Sequence, residues 1–236
     1  MYRKAVLLNR LFIFAPTSID RTMKKFLVLL VLFALPIIAY MFFASGQNNF
    51  AKLPVLTEDV KDVSDFESLD GESITLEDKI SIVAFFGKDL DNLKGNTFNL
   101  DQKILEKYYE FNDFQFVVVL PEEAREEAER FKNEFSGISK TSKWKFIFGT
   151  SAEVKNVFKS FKSPHQLEDT YTPYVFIIDK DLDLRGRSDD EDFGKVYGYD
   201  SRSVAELSDK MNDDVKVILA EYRLALKKNN AERKNN

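Results

Sequence analysis

Nineteen consecutive residues, Phe26 to Ala44, carry no charge: FLVLLVLFALPIIAYMFFA. A run of this kind constrains the chain more than any other feature. About 20 apolar residues cross a hydrocarbon core as a helix, the one single-segment conformation that satisfies its own backbone N–H and C=O groups without water. Pro36 falls mid-span, where a lipid-embedded helix tolerates proline better than a soluble one does. Lys24 and Lys25 precede the run, and such a basic flank is expected to stay cytoplasmic. The body that follows would then face the far side, the periplasm or the exterior. A single-pass signal anchor is the favoured reading. A cleaved signal peptide is the alternative, since Ala44-Ser45-Gly46 supplies small residues at the right place. Gln47 stands where a lipoprotein needs cysteine. Met23-Lys24-Lys25 also resembles a natural start, which would make residues 1–22 an over-extended start. The expected organisation is a cytoplasmic N-terminus over 1–25, an anchor over 26–44, a linker over 45–69, one folded domain over 70–228 and a polar tail over 229–236.

Composition excludes several chemistries at once. The chain has no cysteine. Disulfides, thiolate nucleophiles, iron–sulfur clusters and cysteine-ligated zinc are therefore all ruled out. His165 is the only histidine, so a multi-imidazole metal site is ruled out too. Up to Phe50, Arg3, Lys4, Arg10, Arg21, Lys24 and Lys25 stand against Asp20 alone, a net of +5. The chain's formal −5 thus leaves −10 on the rest. A body so acidic is a poor partner for nucleic acid or an anionic lipid surface. The 22 Phe against a single Trp read as core material rather than as a ligand box.

Along the body, short buried-strand runs alternate with helical stripes. Asp70-Gly71 signals a turn, and Ser73 to Leu76 alternates as a short strand does. Ile80 to Phe86 and Phe114 to Leu120 are compact apolar runs of buried-strand type. Between them Phe98, Leu100, Ile104, Leu105, Tyr108 and Phe111 form a helical stripe. Pro121-Glu122-Glu123 opens the next helix, with acids at the positive end of its dipole, and Gly137 stops it. Trp144 to Phe148 is a third apolar run. Thr150 with Glu153 has the pattern of a capping box ahead of Val154, Val157, Phe158 and Phe161. Tyr174 to Asp179 reads as a strand that turns through Lys180–Asp183 into a second strand near Leu184 to Arg187. Ser203 with Glu206 makes another box, and Leu207, Met211, Val215, Ile218, Tyr222 and Leu226 follow at spacings of three and four. The order β-α-β-α-(β-α)-β-β-α predicts a central mixed sheet with helices on both faces.

That order and its residues resemble the thioredoxin-like superfamily, and most closely its Sco/SenC copper-chaperone branch, over residues 70–228. The resemblance is carried by Asp70–Asp78 (DGESITLED), Ile82–Phe86 (IVAFF), Phe116–Glu123 (FVVVLPEE), Trp144–Thr150 (WKFIFGT) leading into Ser151–Phe161, and Tyr174–Arg187 (YVFIIDKDLDLRGR). It implies a three-layer α/β/α fold of thioredoxin-like type. It also implies where a copper-binding relative places its ligands. Two cysteines would fall near Asp89 and Leu93, and a histidine near Tyr171 or Thr172; His165 lies several residues too early. A carboxylate and an aliphatic side chain cannot replace the soft thiolates that hold copper(I). Asp89, Leu93, Thr172 and Pro173 are thus expected to be degenerate active-site positions, with no catalytic residue, metal ligand or cofactor. Thr172-Pro173 also resembles the proline that this superfamily keeps cis beside its active site; the plain reading is a proline at a strand start.

Other clusters carry weaker signals. Ser188-Asp189-Asp190-Glu191-Asp192 offers oxygen ligands for calcium but lacks the spacing and glycine of an EF-hand loop, so a solvated hairpin extension is favoured. Glu122, Glu123, Glu126, Glu127 and Glu129, mixed with Arg125 and Arg130, read as an exposed helix face. His165 reads as a loop residue. Tyr197 and Tyr199 either form an aromatic contact surface or anchor their loop on the core. The resemblance implies a domain that works by binding a protein, in cytochrome oxidase or envelope-protein assembly. A carboxylate-based metal site or enzyme around Asp89, Asp91 or the acidic loop, and a purely structural envelope role, are the alternatives.

Overall fold

A computed structural model of the chain describes residues 21–45, 52–137 and 139–234. Residues 1–20, where most of the expected cytoplasmic segment falls, lie outside the described residues. The chain divides into two compact units at Asn49/Phe50. In the first, helix α1 (Arg21–Ser45) contains Pro36 and encloses Met23–Phe42, a stretch long and apolar enough to cross a membrane. Twenty residues rise about 30 Å as a helix, the thickness of a hydrocarbon core.

The second unit is built on a mixed sheet. Strands β1 (Val55–Thr57) and β2 (Glu67–Ser68) are followed by β3 (Ile80–Phe86). Helix α2 (Lys94–Leu100) continues through a π turn over Asp101–Leu105 into α3 (Glu106–Tyr108) and delivers β4 (Phe114–Pro121). Helix α4 (Arg125–Phe135) leads to β5 (Trp144–Gly149), and α5 (Ser151–Ser160) to β6 (Tyr171–Ile178). The chain then forms β7 (Leu184–Arg185), a separate ribbon of β8 (Arg187–Asp190) and β9 (Gly194–Val196), and β10 (Tyr199–Asp200). It closes with the short α6 (Val204–Glu206) and, after a second π turn over Leu207–Met211, α7 (Asn212–Lys234). The strand order is β1-β7-β6-β3-β4-β5-β2, with β10 added beside β6. Strands β3, β4 and β5 are parallel, in register from Ile80↔Phe114 and from Phe116↔Trp144. Strand β6 runs antiparallel to β3, with Ser81 opposite Ile178.

Helices cover both faces, so the central strands have no polar side to show. In β3, Ile80, Ile82, Ala84 and Phe86 pack with Phe131 and Phe135 of α4 and with Met211, Val215 and Ile218. The intervening Val83 and Phe85 pack with Val154, Val157 and Phe158 of α5. This alternation between two buried faces is why the strand reads as a continuous apolar run. The second face is almost wholly aromatic at its centre: Phe85 meets Phe158 edge-on at 5.2 Å and Phe161 at 5.6 Å between ring centres. The Thr150–Glu153 box forms as its spacing predicts, each residue bonding the other's backbone N–H.

Several expectations are corrected. Residues 52–69 are part of the folded unit rather than a linker: Leu53, Val60, Val63 and Phe66 are buried, and β1 pairs with β7. Their apolar residues are separated by turns and show no period, so nothing local betrays them. Ser73–Leu76 forms no ladder; Ile74 and Leu76 are buried, and Gln115 spans to the carbonyl of Thr75. Of the first helical stripe, Leu100, Ile104 and Leu105 are buried, but Phe98 and Phe111 are 46% and 37% exposed, because the π turn shifts the phase between them. Of the two readings of Thr172–Pro173, the plain one holds: the bond is trans and the proline lies near the start of β6. Helix α7 continues past Asn229 to Lys234, into the segment read as a tail.

Candidate functional site

A groove of about 460 Å³ opens at the C-terminal end of β3. It starts where the β3–β6 register shifts between Ala84 and Phe86, bringing Phe86 opposite Tyr171. The next residue, Gly87, has φ +64°, and a Cβ there would meet the Tyr171 Cβ at 3.0 Å. Only glycine meets both the left-handed backbone and this close approach. Phe86, Leu93 and Tyr171 line the groove together with Asp89, Asn92 and Arg202.

Tyr171 is presented by a two-residue turn. Glu168 and Tyr171 exchange backbone hydrogen bonds of 2.8 Å in both directions. Asp169 and Thr170 between them have φ +44° and +72°, the positive pair that a type I′ turn demands. A β-branched residue in that region is uncommon. Thr170 is held there fully buried, its hydroxyl donating to the Asp169 carbonyl. The Lys88 ammonium lies 2.9 Å from Asp169 on the exposed rim, which raises the lysine's pKa and lowers the carboxyl's. Arg202 clamps Asp200 with Nε–Oδ1 at 2.9 Å and Nη2–Oδ2 at 2.7 Å. Burial pushes the Asp200 carboxyl up, but the bonds to Arg202 hold it below its ordinary value. Burial raises the Tyr171 phenol.

The four positions singled out in the sequence do not form one constellation. Asp89 is exposed, and its carboxylate accepts from Asn92 Nδ2 at 2.6 Å and, at 3.4 Å, from the Asn92 backbone N–H. Leu93 is buried in the core that α2 closes, one edge of it lining the groove. Thr172 is buried, and the Pro173 carbonyl accepts from the backbone N–H and the hydroxyl of Ser201, at 3.0 and 2.7 Å. Neither lines the groove; Tyr171 does.

The remaining candidates have structural partners. Asp91 pairs with Lys94 at 2.9 Å. The acidic loop is the exposed hairpin its composition suggests, with Ser188, Asp189, Glu191 and Asp192 in solvent, but Asp190 is buried and accepts from Lys210 at 2.6 Å and from Arg187 at 3.2 Å. No cluster of three metal-ligating side chains occurs among the described residues. Tyr199 is buried with its hydroxyl donating to Asp214, and Tyr197 packs on the core, so both anchor their loop. His165 stacks on Tyr174 with ring centres 3.6 Å apart, away from the groove lining. Sequence reasoning missed two pairs: Lys88–Asp169, which joins residues that only the fold brings together, and Arg202–Asp200, two residues apart in the turn after β10. Gly87 alone had a readable signal, a glycine directly after a buried strand.

No family model matches the chain, and no curated protein matches it. Solved structures do. BsSco, a member of the Sco family of cytochrome c oxidase assembly proteins, aligns over 70% of this chain and 94% of its own, with TM-score 0.50 and 13% identity. The domain has the thioredoxin-like fold. Other structural neighbours of this thioredoxin-like domain include the soluble domain of Sco1 from Bacillus subtilis (14% identity, 70% and 94% covered, TM-score 0.46). A thioredoxin-family thiol:disulfide interchange protein from Chlorobium tepidum also aligns (17%, 72% and 99%, 0.45). BsSco has a disulfide switch. The present chain, with no cysteine, has none.

Proposed function

We propose that the chain is a membrane-anchored, exported thioredoxin-like domain that works by binding a protein through the groove at the end of β3, and that it carries out no thiol or copper chemistry. One observation supports this above the others. The groove keeps an apolar floor of Phe86, Leu93 and Tyr171. Asp89 and Leu93, the proposed counterparts of thiol positions, serve a local hydrogen bond and the core instead. A thiolate is what attacks a disulfide or grips copper(I), and this sequence supplies none. Concave apolar floors with a few polar groups on the rim are where proteins bind ligands. By analogy with BsSco, the partner class proposed is a protein of cytochrome oxidase or envelope assembly; that step is fold-level analogy. Orientation is proposed from Lys24 and Lys25 ahead of the apolar helix, which keep the N-terminal side cytoplasmic.

The test places a photo-crosslinking residue at Asn92 in the groove and, separately, at the exposed Lys159 of α5, in cells expressing the full chain. A discrete adduct from Asn92, absent from Lys159 and lost when Tyr171→Ala is added, is the expected result. Matching adducts from both sites would defeat the reading. So would tight, stoichiometric copper(I) binding in competition with a colorimetric chelator.

A further inference from the structure

Beyond the groove, a second cavity of about 280 Å³ lies between the β6–β10 pair and the β8–β9 ribbon. Its walls include His165, Tyr174, Phe193, Lys195, Asp200 and Glu206. It meets the groove only through one ion pair, Asp200 lining this cavity and Arg202 the other.

Most charged groups around it are already paired. Both oxygens of Asp200 are taken by Arg202, and Lys210 bridges Asp190 and Asp192. Glu206 is different. One carboxylate oxygen accepts from the Asp200 backbone N–H at 3.0 Å, and the other has no partner among the described residues. Burial of this carboxyl raises its pKa, as does the negative charge of Asp200. A half-desolvated carboxylate of this kind gains more from an incoming cation than a fully hydrated one does. The ring nitrogens of His165 likewise have no hydrogen-bond partner among the described residues; burial lowers the imidazole's pKa and keeps it neutral at neutral pH.

The other walls are aromatic. His165 lies on Tyr174 at a 20° interplanar angle, giving a flat slab. Phe193, at the turn of the ribbon, is 65% exposed, which is unfavourable for so large a ring unless something covers it. The Lys210 ammonium already sits 4.4 Å from that ring's centre, so the ring serves as a cation platform within the chain itself. Lys195 is exposed at the lip, where solvent and salt screen its charge.

We propose that this cavity binds a small organic cation bearing a flat ring, its positive charge taken by Glu206 and its ring by the aromatic walls of His165, Tyr174 and Phe193. The volume is near the lower limit of roughly 300 Å³ for small-molecule sites and accommodates one ring with an ammonium arm. The proposal is independent of the groove reading and survives its failure.

The single histidine makes the test clean, because an isotope-labelled histidine gives one imidazole signal. Full-length protein in detergent micelles is titrated with benzylamine and, in parallel, with uncharged benzyl alcohol. A saturable shift of the His165 signal with benzylamine is expected, weaker by about tenfold or more in Glu206→Gln and with benzyl alcohol, as loss of a charge-assisted hydrogen bond implies. The glutamine still accepts from the Asp200 N–H, and emission from the single Trp144 reports whether that variant is folded. Should it unfold, Phe193→Ala replaces it, since an exposed ring at a turn is dispensable to the fold; several-fold weaker binding is then expected. A shift that never saturates, or equal affinity for benzyl alcohol or for the folded variant, overturns the proposal.

Discussion

The groove at the end of β3 and the ion network beneath the last helix use charge in opposite ways. At the groove's rim the Lys88–Asp169 pair stands in solvent, its side chains 58% and 71% exposed. Beneath α7, Arg185 and Asp179 are 5% and 1% exposed at 2.6 Å, and the same guanidinium reaches Glu221 at 2.8 Å and the Leu53 carbonyl at 2.8 Å. Exposed pairs contribute little to stability, whereas removing one partner of a buried pair strands the other without water. The comparison teaches where the domain commits its electrostatics. Its interior network clips β7 to α7 and to Leu53, just ahead of β1. An exposed pair such as Lys88–Asp169 on the groove's rim adds little to the fold.

The largest expected effect tests the interior half of that comparison. Arg185→Ala strips the buried Asp179 of its guanidinium partner and leaves it the uncharged donors alone, the backbone N–H groups of Asp181 and Asp183 and the Tyr222 hydroxyl. The expected loss is about 3–5 kcal/mol of unfolding free energy, read from urea denaturation. A loss below about 1 kcal/mol would place this network with the exposed pairs.

How much of this was readable in the sequence follows the same division. Strands β3 and β4 were legible because both faces are buried and the run is continuous. The Thr150 box was legible because its partners are three residues apart. Arg185, by contrast, draws on partners at positions 53, 179 and 221, and no window of sequence contains them together. The N-terminal segment was misjudged for the same reason: Val60 and Val63 become core only when Leu182 and α5 are folded against them. At the groove, Asp89, Leu93 and the neighbourhood of Tyr171 were indicated by a resemblance, but the turn that brings Tyr171 to the floor was not legible, being built without the usual glycine or asparagine.

A second network beside the first gives the next effect. Tyr199 is fully buried and donates to Asp214 at 2.6 Å, while Arg187 holds both oxygens of that carboxylate at 2.7 and 3.1 Å. Tyr199→Phe removes one of three donors and is expected to cost about 1–3 kcal/mol, less than Arg185→Ala because Asp214 keeps its arginine. Smaller again is an acid effect at Asp190. Its bonds to Lys210, with the N–H groups of Asp192 and Phe193, hold the carboxyl at about 2, outweighing the opposing effect of burial. An unfolded aspartate titrates near about 3.9. A depressed carboxyl stabilises the fold above the unfolded value and loses that contribution as pH falls toward the folded one. Thermal midpoints should therefore decline from about pH 4 to pH 2, and less steeply in Asp190→Asn. Parallel declines in both proteins would assign the acid limb to other groups.

The smallest effect belongs to the groove. Asp89 bonds only Asn92, and it does so in solvent, so Asp89→Ala should cost at most about 1 kcal/mol. Asp89→Asn, which still offers an oxygen to the Asn92 N–H, should lose less. The pair of substitutions decides between two reasons for an acid at this position. If the carboxylate only braces the turn after β3, the asparagine recovers both stability and crosslinking, the probe now standing at Lys88 of the same groove so that Asn92 is kept. If a partner reads its charge, stability recovers with asparagine and crosslinking does not. The second pattern would show that the rim, so lightly tied to the fold, is the part of the molecule held in place by recognition.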